Sequence, residues 1–206
     1  MLYMDALYGH QSGITSLDCF QKERPVSTGR DRTARLWKLA EETHIIFRGG
    51  SQTSAADCMS VIKEDWFLTG HDDGYLSLWF AGKKKAIRTI RATFDPSDNN
   101  KSPMISSCDA LKGSDLAATG SNDGFLRLWN VSTGNNNEER ALEPLTKIPI
   151  HGFINGIRIG PKGTFCILGT GQEHRLGRWE KVPRAKNRVA LVKLQDDCYD
   201  NAKFES

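Results

Sequence analysis

The sequence lacks long apolar runs. None approaches the roughly eighteen residues that a membrane-spanning helix needs, so no such helix is expected. Met1 to Gly13 has neither the basic start nor the apolar centre of a secretory signal, and the expectation is a cytosolic or nuclear chain. Cysteine is sparse and unpatterned. Cys19, Cys58, Cys108, Cys166 and Cys198 are odd in number, widely spaced and include no Cys-x-x-Cys, which argues against a disulfide framework and a zinc site. No metal and no cofactor are expected. Catalytic motifs are missing too: there is no Gly-x-Ser-x-Gly, no Gly-x-x-x-x-Gly-Lys-[Ser/Thr] and no His-Glu-x-x-His, so the chain reads as a non-enzyme. Charge of one sign is also absent. Against 25 acids stand 28 Lys and Arg, and a net +3 over 206 residues is too small to announce a polyanion partner by itself.

What is present is a repeat. A composition of 38% apolar and 26% charged residues suits a soluble globular chain, and four segments end alike. They are Arg30 to Trp37, His71 to Trp79, Ser121 to Trp129 and Gly171 to Trp179, with the tryptophans 42, 50 and 50 residues apart. An acid precedes each tryptophan by six residues: Asp31, Asp73, Asp123 and Glu173. Asp, Asn and Gly suit a tight turn, and Leu36, Leu78 and Leu128 alternate with polar residues as a half-buried strand requires. Thr28-Gly29, Thr69-Gly70 and Thr119-Gly120 stand just upstream, each ending a short β-prone run that supplies the hairpin's other strand. Cys19, Cys58 and Cys108 recur 18, 21 and 21 residues before their tryptophans, where inner strands would bury a small thiol.

A period of this size is that of four-stranded propeller blades. The chain resembles the WD40 family, which implies an all-β propeller with antiparallel four-stranded blades. About four blades are expected here, a partial propeller of the seven-bladed type, with repeats at about 7–48, 49–91, 104–147 and 148–194. The polar, acidic segment 195–206 reads as a disordered tail. In WD40 repeats a buried tetrad of His, Ser or Thr, Asp and Trp ties the blade. The resemblance carries it onto His10, Thr28, Asp31 and Trp37, whereas the second and third repeats keep Thr69, Asp73, Trp79 and Thr119, Asp123, Trp129 without a Gly-His. Those two blades are expected to rely more on packing.

Two further stretches narrow the likeness. Gly152-Phe153-Ile154-Asn155 and Gly171-Gln172-Glu173-His174-Arg175-Leu176-Gly177-Arg178-Trp179 are similar to the WD40 subunits of the U3 small nucleolar ribonucleoprotein, with Leu7-Tyr8-Gly9-His10-Gln11 and Gly29-Arg30-Asp31 near the start. The resemblance runs over about 1–194. It implies partners: the box B/C region of U3 snoRNA, a kink-turn-binding protein and other small-subunit processome proteins, in the nucleolus of the nucleus. Members of that family carry a charged N-terminal extension and additional blades. Four blades of seven leave two open faces, which must be covered.

The charge distribution says more than its sum. Arg175, Arg178, Lys181, Arg184, Lys186, Arg188 and Lys193 face only Glu173 and Glu180 over the same stretch, a run that can contact phosphates or simply stay solvated. Lys83-Lys84-Lys85 is a second cluster, read as a solvated loop. Candidate RNA or partner contacts are therefore Arg30, His174, Arg175, Arg178, Lys181, Arg184, Lys186 and Arg188. The competing reading is a WD40 scaffold that holds only proteins.

Overall fold

Alternation of apolar and polar residues, broken by turn chemistry, produces sheets throughout. The computed structural model describes residues 6–20, 24–49, 54–93, 103–134, 140–175 and 177–194, with the side chains of 178–180 outside that description. The first sheet joins β1 (Ile14–Phe20), β2 (Arg24–Gly29), β3 (Thr33–Lys38) and β4 (Thr43–Arg48) in chain order. The second repeats this with β5 (Ala56–Lys63), β6 (Trp66–His71), β7 (Tyr75–Phe80) and β8 (Arg88–Arg91). The third does so with β9 (Ile105–Ala110), β10 (Leu116–Ser121), β11 (Phe125–Thr133) and β12 (Arg140–Pro149). All pairings are antiparallel. Ser132 and Thr133 lengthen β11 and pair with Ala141 and Arg140.

The acid of each turn acts on the backbone. Asp31, Asp73 and Asp123 each accept a hydrogen bond from the amide two residues on, at Thr33, Tyr75 and Phe125. The residue after the acid is Gly74 (φ 79°) or Gly124 (φ 84°), and in the first sheet Arg32 takes the same left-handed conformation at φ 62° despite its Cβ.

The fourth unit departs from the expected four-stranded plan. β13 (Phe153–Ile159) pairs with β14 (Phe165–Gly171), but β14's other neighbour is β17 (Arg188–Lys193). The stretch holding Glu173 and Trp179 stands apart as a two-stranded ribbon, β15 (Glu173–His174) with β16 (Gly177–Lys181). Glu173 is thus no counterpart of the turn aspartates, and Trp179 lies on the ribbon rather than in a blade's third strand. The 50-residue tryptophan spacing therefore does not mark a third strand in this unit. The expected tail 195–206 lies outside the described residues.

Successive sheets pack face to face through three apolar layers. Phe20, Val26, Leu36 and Phe47 meet Met59, Val61, Phe67 and Trp79 between the first two sheets. Leu68, Leu76 and Leu78 share a second layer with Ile105, Ala117 and Trp129. Leu116, Leu126 and Leu128 share a third with Ile154, Ile157, Cys166 and Leu168. Cys58, Cys108 and Cys166 are buried, but Cys19 is exposed, contrary to its expected core position. It lies on the face of β1 turned away from the second sheet, with Leu17 (68% exposed) beside it. β17 similarly exposes Val189 and Leu191.

Phe67 is the centre of the first layer, fully buried, edge-on to Phe47 at 5.3 Å and stacked on Trp79 at 5.9 Å. Phe67→Ala is expected to cost about 3–5 kcal/mol in urea denaturation. A loss below about 1 kcal/mol would contradict this packing.

Candidate functional site

The tryptophans anchor each sheet by their indole N–H. Trp37 Nε1 donates to Ser27 Oγ at 2.8 Å, Trp79 Nε1 to Thr69 Oγ1 at 2.9 Å and Trp129 Nε1 to Thr119 Oγ1 at 2.8 Å. The first sheet completes the relay, with His10 Nε2 2.8 Å from Ser27 Oγ and His10 Nδ1 2.9 Å from Asp31 Oδ2. Here the structure corrects the expected tetrad: Ser27, not Thr28, is its hydroxyl. The hydroxyl stands ten residues before its tryptophan in all three sheets, a spacing visible in the sequence but masked by the Thr-Gly dipeptide.

Thr28 has a different task, and volume explains the shift. Nine residues before the tryptophan, Gly70 and Gly120 leave room for Ile105 and Ile154 of the following sheet; a Cβ at these glycines would lie 2.6 and 2.5 Å from the isoleucine methyls. In the first sheet this position is Thr28, and the next inner strand presents the smaller Ala56. Thr28 Oγ1 hydrogen-bonds Thr15 Oγ1, which donates to the carbonyl of Ala56.

The second sheet replaces the missing Gly-His from within its own turn. His71 Nε2 lies 2.9 Å from Thr69 Oγ1, so a histidine-hydroxyl-indole chain survives without an upstream histidine. Burial holds the His71 pKa below its ordinary value. Sequence reasoning missed this residue because it sought the histidine only before the repeat. The third sheet has an ion pair of Asp123 with Arg127 at 2.5 Å.

The ribbon of the fourth unit is fastened by polar contacts. Asn155 Nδ2 donates to the carbonyl of Glu173 at 2.7 Å, and Asn155 Oδ1 accepts from the Arg175 amide at 3.0 Å. Gln172 Nε2 donates to the carbonyl of Ala185, and the Gln172 amide to Asn187 Oδ1. Gly152, at φ 107°, admits the close approach of the Gly171 carbonyl and of Ala185; a Cβ there would lie 2.8 Å from each. The two family-like stretches are therefore one structure.

The candidate contacts separate into two groups. Arg175 reaches inward, donating from Nη2 to the carbonyl of Asp57 at 2.7 Å and from Nε to that of Ser106 at 3.4 Å, and so clasps the second and third inner strands. Arg30 and Arg175 both act electrostatically on Asp57 and on His174 at this mouth of the central channel. The channel forms a cavity of about 440 Å³ bordered by Asp18, Cys58, Cys108, Arg158 and Arg175. Burial lowers the His174 pKa, with Arg175 and Arg30 acting the same way. The second group lies outside. Lys181 pairs with Glu173 at 3.4 Å, whereas Arg184, Lys186 and Arg188 are exposed on the segment that leads from the ribbon into β17. Arg178 falls on β16 with its side chain outside the described residues. Among the described residues no group of three or more His, Cys, Asp and Glu is placed to hold a metal ion.

Comparison with known proteins agrees with this geometry. The model of the WD domain, G-beta repeat, matches residues 3–38 and 82–130. The chain is built of WD40 repeats. It is 38% identical over 202 residues to the U3 snoRNP-associated protein-like EMB2271 of Arabidopsis thaliana, covering 94% of this chain and 41% of that protein. It is 38% identical over 158 residues to U3 small nucleolar RNA-interacting protein 2 of Mus musculus, covering 75% and 32%. The solved structure of U3-55K superposes with a TM-score of 0.85 at 37% identity, over 93% of this chain and 58% of that one. The chain thus spans about two-fifths of the length of the Arabidopsis relative.

Two predictions follow from the buried polar groups. Ser27→Ala leaves the indole of Trp37 and the imidazole of His10 without their shared partner and is expected to cost about 1–3 kcal/mol. In double-mutant cycles with His10→Ala it should couple strongly, and Thr28→Ala weakly; the reverse order would restore Thr28 to the tetrad. Asp57 supplies the second. Burial, then the neighbouring Asp72 carboxylate, push its pKa up to about 6 against the pull of Arg30 and Arg175. The folded state therefore holds an extra proton between the ordinary carboxylate value of 3.8 and about 6. Stability falls as pH rises through that window, and the loss is complete above it. Asp57→Asn should raise stability at pH 7 by up to about 2 kcal/mol and leave it unchanged below pH 4, as read by urea denaturation at both values. Equal effects at the two pH values would refute this.

Proposed function

We propose that this chain is the WD40 part of a non-catalytic subunit of the U3 small nucleolar ribonucleoprotein. In this reading it binds the box B/C region of U3 snoRNA together with a kink-turn-binding protein, and takes part in pre-rRNA processing and small-subunit biogenesis in the nucleolus. The names of its relatives support the particle. The observation that carries the RNA contact is the anchored ribbon and its outgoing segment, which presents Arg184, Lys186 and Arg188 to solvent on a backbone fixed by Asn155, Gln172 and Asn187. Such cations bind phosphates through counterion release with little cost of ordering, because the segment is already held.

Arg30, His174 and Arg175 serve this function differently. They set the mouth of the channel, and Arg175 is a positioning residue whose guanidinium is committed to main-chain carbonyls. Arg178 and Lys181 lie on the ribbon itself, and the exposed Lys181 extends the surface.

The test is a mobility-shift titration with U3 box B/C RNA in the presence of the kink-turn-binding protein. Charge reversal of Arg184, Lys186 and Arg188 together is expected to weaken binding at least tenfold and to flatten the salt dependence, by about 2 in the slope of log K against log salt if all three touch phosphates. Binding indifferent to the reversal would remove the segment from the interface. No binding by the wild-type chain would favour a scaffold that holds only proteins.

A further inference from the structure

A second cationic surface lies away from the ribbon, on the outer circumference of the first three sheets. The loop between β7 and β8 and the strand that follows read Lys83-Lys84-Lys85-Ala86-Ile87-Arg88-Thr89-Ile90-Arg91, five cations without an acid. All five are exposed. The loop is not free: Ala81 and Ala86 pack on the apolar layer beneath it, and the Ile87 amide donates to the Leu78 carbonyl at 2.8 Å. Its position is therefore defined by the fold.

Contacts across the two seams extend this patch on either side. The amide of Arg48, the exposed last residue of β4, donates to the carbonyl of Lys84 at 3.3 Å and sets a sixth cation beside the lysines. On the other flank, Arg88 Nε donates to the carbonyl of Arg140 at 3.2 Å, and the Arg140 guanidinium lies over the Trp66 ring at 5.2 Å. Nearby acids are already engaged. Glu64 and Asp65, in the turn whose carbonyl accepts from Ala81, pair with Arg24 at 3.6 and 2.7 Å, and Asp115 pairs with Lys63. Glu143 lies further along β12, opposite Asn130.

Edge protection alone does not account for this density. A sheet edge is blunted by one or two charges, as on β4, which carries only Arg48, or on β17, with Arg188 and Lys193. We propose that Arg48, Lys83, Lys84, Lys85, Arg88 and Arg140 form a track for an RNA sugar-phosphate backbone that crosses three sheets. Recognition here is by charge and is independent of sequence, since what the track offers is a row of cations that suit phosphates. The inference rests on the reading of the chain as a ribonucleoprotein subunit and adds a second point of attachment, remote in sequence from Arg184 to Arg188. Two weak attachments on one RNA raise affinity as a product of sites rather than as a sum.

The experiment uses the whole chain and two probes, a fluorescein-labelled oligouridylate and U3 box B/C RNA, with fluorescence anisotropy over a range of salt. The variants are Lys83→Glu/Lys84→Glu/Lys85→Glu and the milder Lys83→Gln/Lys84→Gln/Lys85→Gln, each compared with wild type in thermal unfolding. The glutamine variant is expected to lower oligouridylate affinity at least fivefold and to flatten its salt slope by about 2, from three lost contacts on a single strand. The glutamate variant should lower it further. Wild-type affinity and slope in the glutamine variant, while charge reversal at Arg184, Lys186 and Arg188 still weakens box B/C binding, would overturn the track and leave the proposed function standing. Failure of wild type to bind either RNA would overturn both. Binding of polyglutamate in place of oligouridylate would assign the surface to an acidic protein partner and overturn the RNA track.

Discussion

The structure depends on how each inner strand's free edge is satisfied. β1, β5, β9 and β13 line the central channel and each has a ladder on one side only, which leaves main-chain groups that cannot be buried without partners. For β5, β9 and β13 the preceding sheet supplies them. Asp18 Oδ2 accepts from the Val61 amide, Ser60 Oγ from the Ala110 amide and Asp109 Oδ2 from the Ile159 amide, one rung at each seam. A second rung satisfies carbonyls: Thr15 donates to Ala56, Cys58 to Ile105 and Ser106 to Ile154. These rungs set the angle between sheets, because a side chain of fixed length must reach a main chain whose own sheet is held by apolar packing. They also explain a polar inner strand in a protein whose sheet faces are apolar.

This constraint decides what could be read from the sequence. Tryptophans and turn aspartates were legible because each acts locally: an indole bonds a hydroxyl ten residues back and a carboxylate caps an amide two residues on. The tetrad hydroxyl differs from the expected Thr28 by one position, because Thr28-Gly29 imitates Thr69-Gly70 and Thr119-Gly120 while the ten-residue spacing to the tryptophan selects Ser27. His71 carries no such signal in the sequence. Its role follows from its distance to Thr69 in the folded turn and not from any position in the repeat pattern. Cys19 is exposed because it does not share the position of the other two: it stands 18 rather than 21 residues before its tryptophan and pairs with Pro25, whereas Cys58 and Cys108 pair with Gly70 and Thr119.

The fourth unit resembles the other three in sequence but not in strand order. Its nine-residue stretch looked like a degraded turn and strand, yet the blade's third strand is β17 and the stretch itself is a ribbon lifted out of the sheet. The ribbon holds its place through Asn155, whose amide bridges Glu173 and Arg175, and through Gln172, which ties it to Ala185 and Asn187. Gly152 permits the contact, since any side chain there would strike both the Gly171 carbonyl and Ala185. The pairing of two distant motifs in one sequence is thus the mark of a single polar joint.

From that joint the division of labour among the arginines follows. A guanidinium that donates to two carbonyls of neighbouring inner strands, as Arg175 does, stiffens the mouth of the channel and has fewer donors left for a ligand. Cations that leave the joint toward solvent have the opposite balance: nothing in the fold needs their charge, and their backbone is already ordered. The same logic holds on the far surface, where Arg88 and Arg140 link two sheets while Lys83, Lys84 and Lys85 stand clear of acids. In a chain of nearly balanced charge, such local excess survives screening only over about a Debye length, roughly 8–10 Å at physiological salt. Long-range attraction is therefore a small part of recognition here. What selects a polyanion is the fixed placement of a few cations at contact distance, and that placement is a property of the seams between sheets.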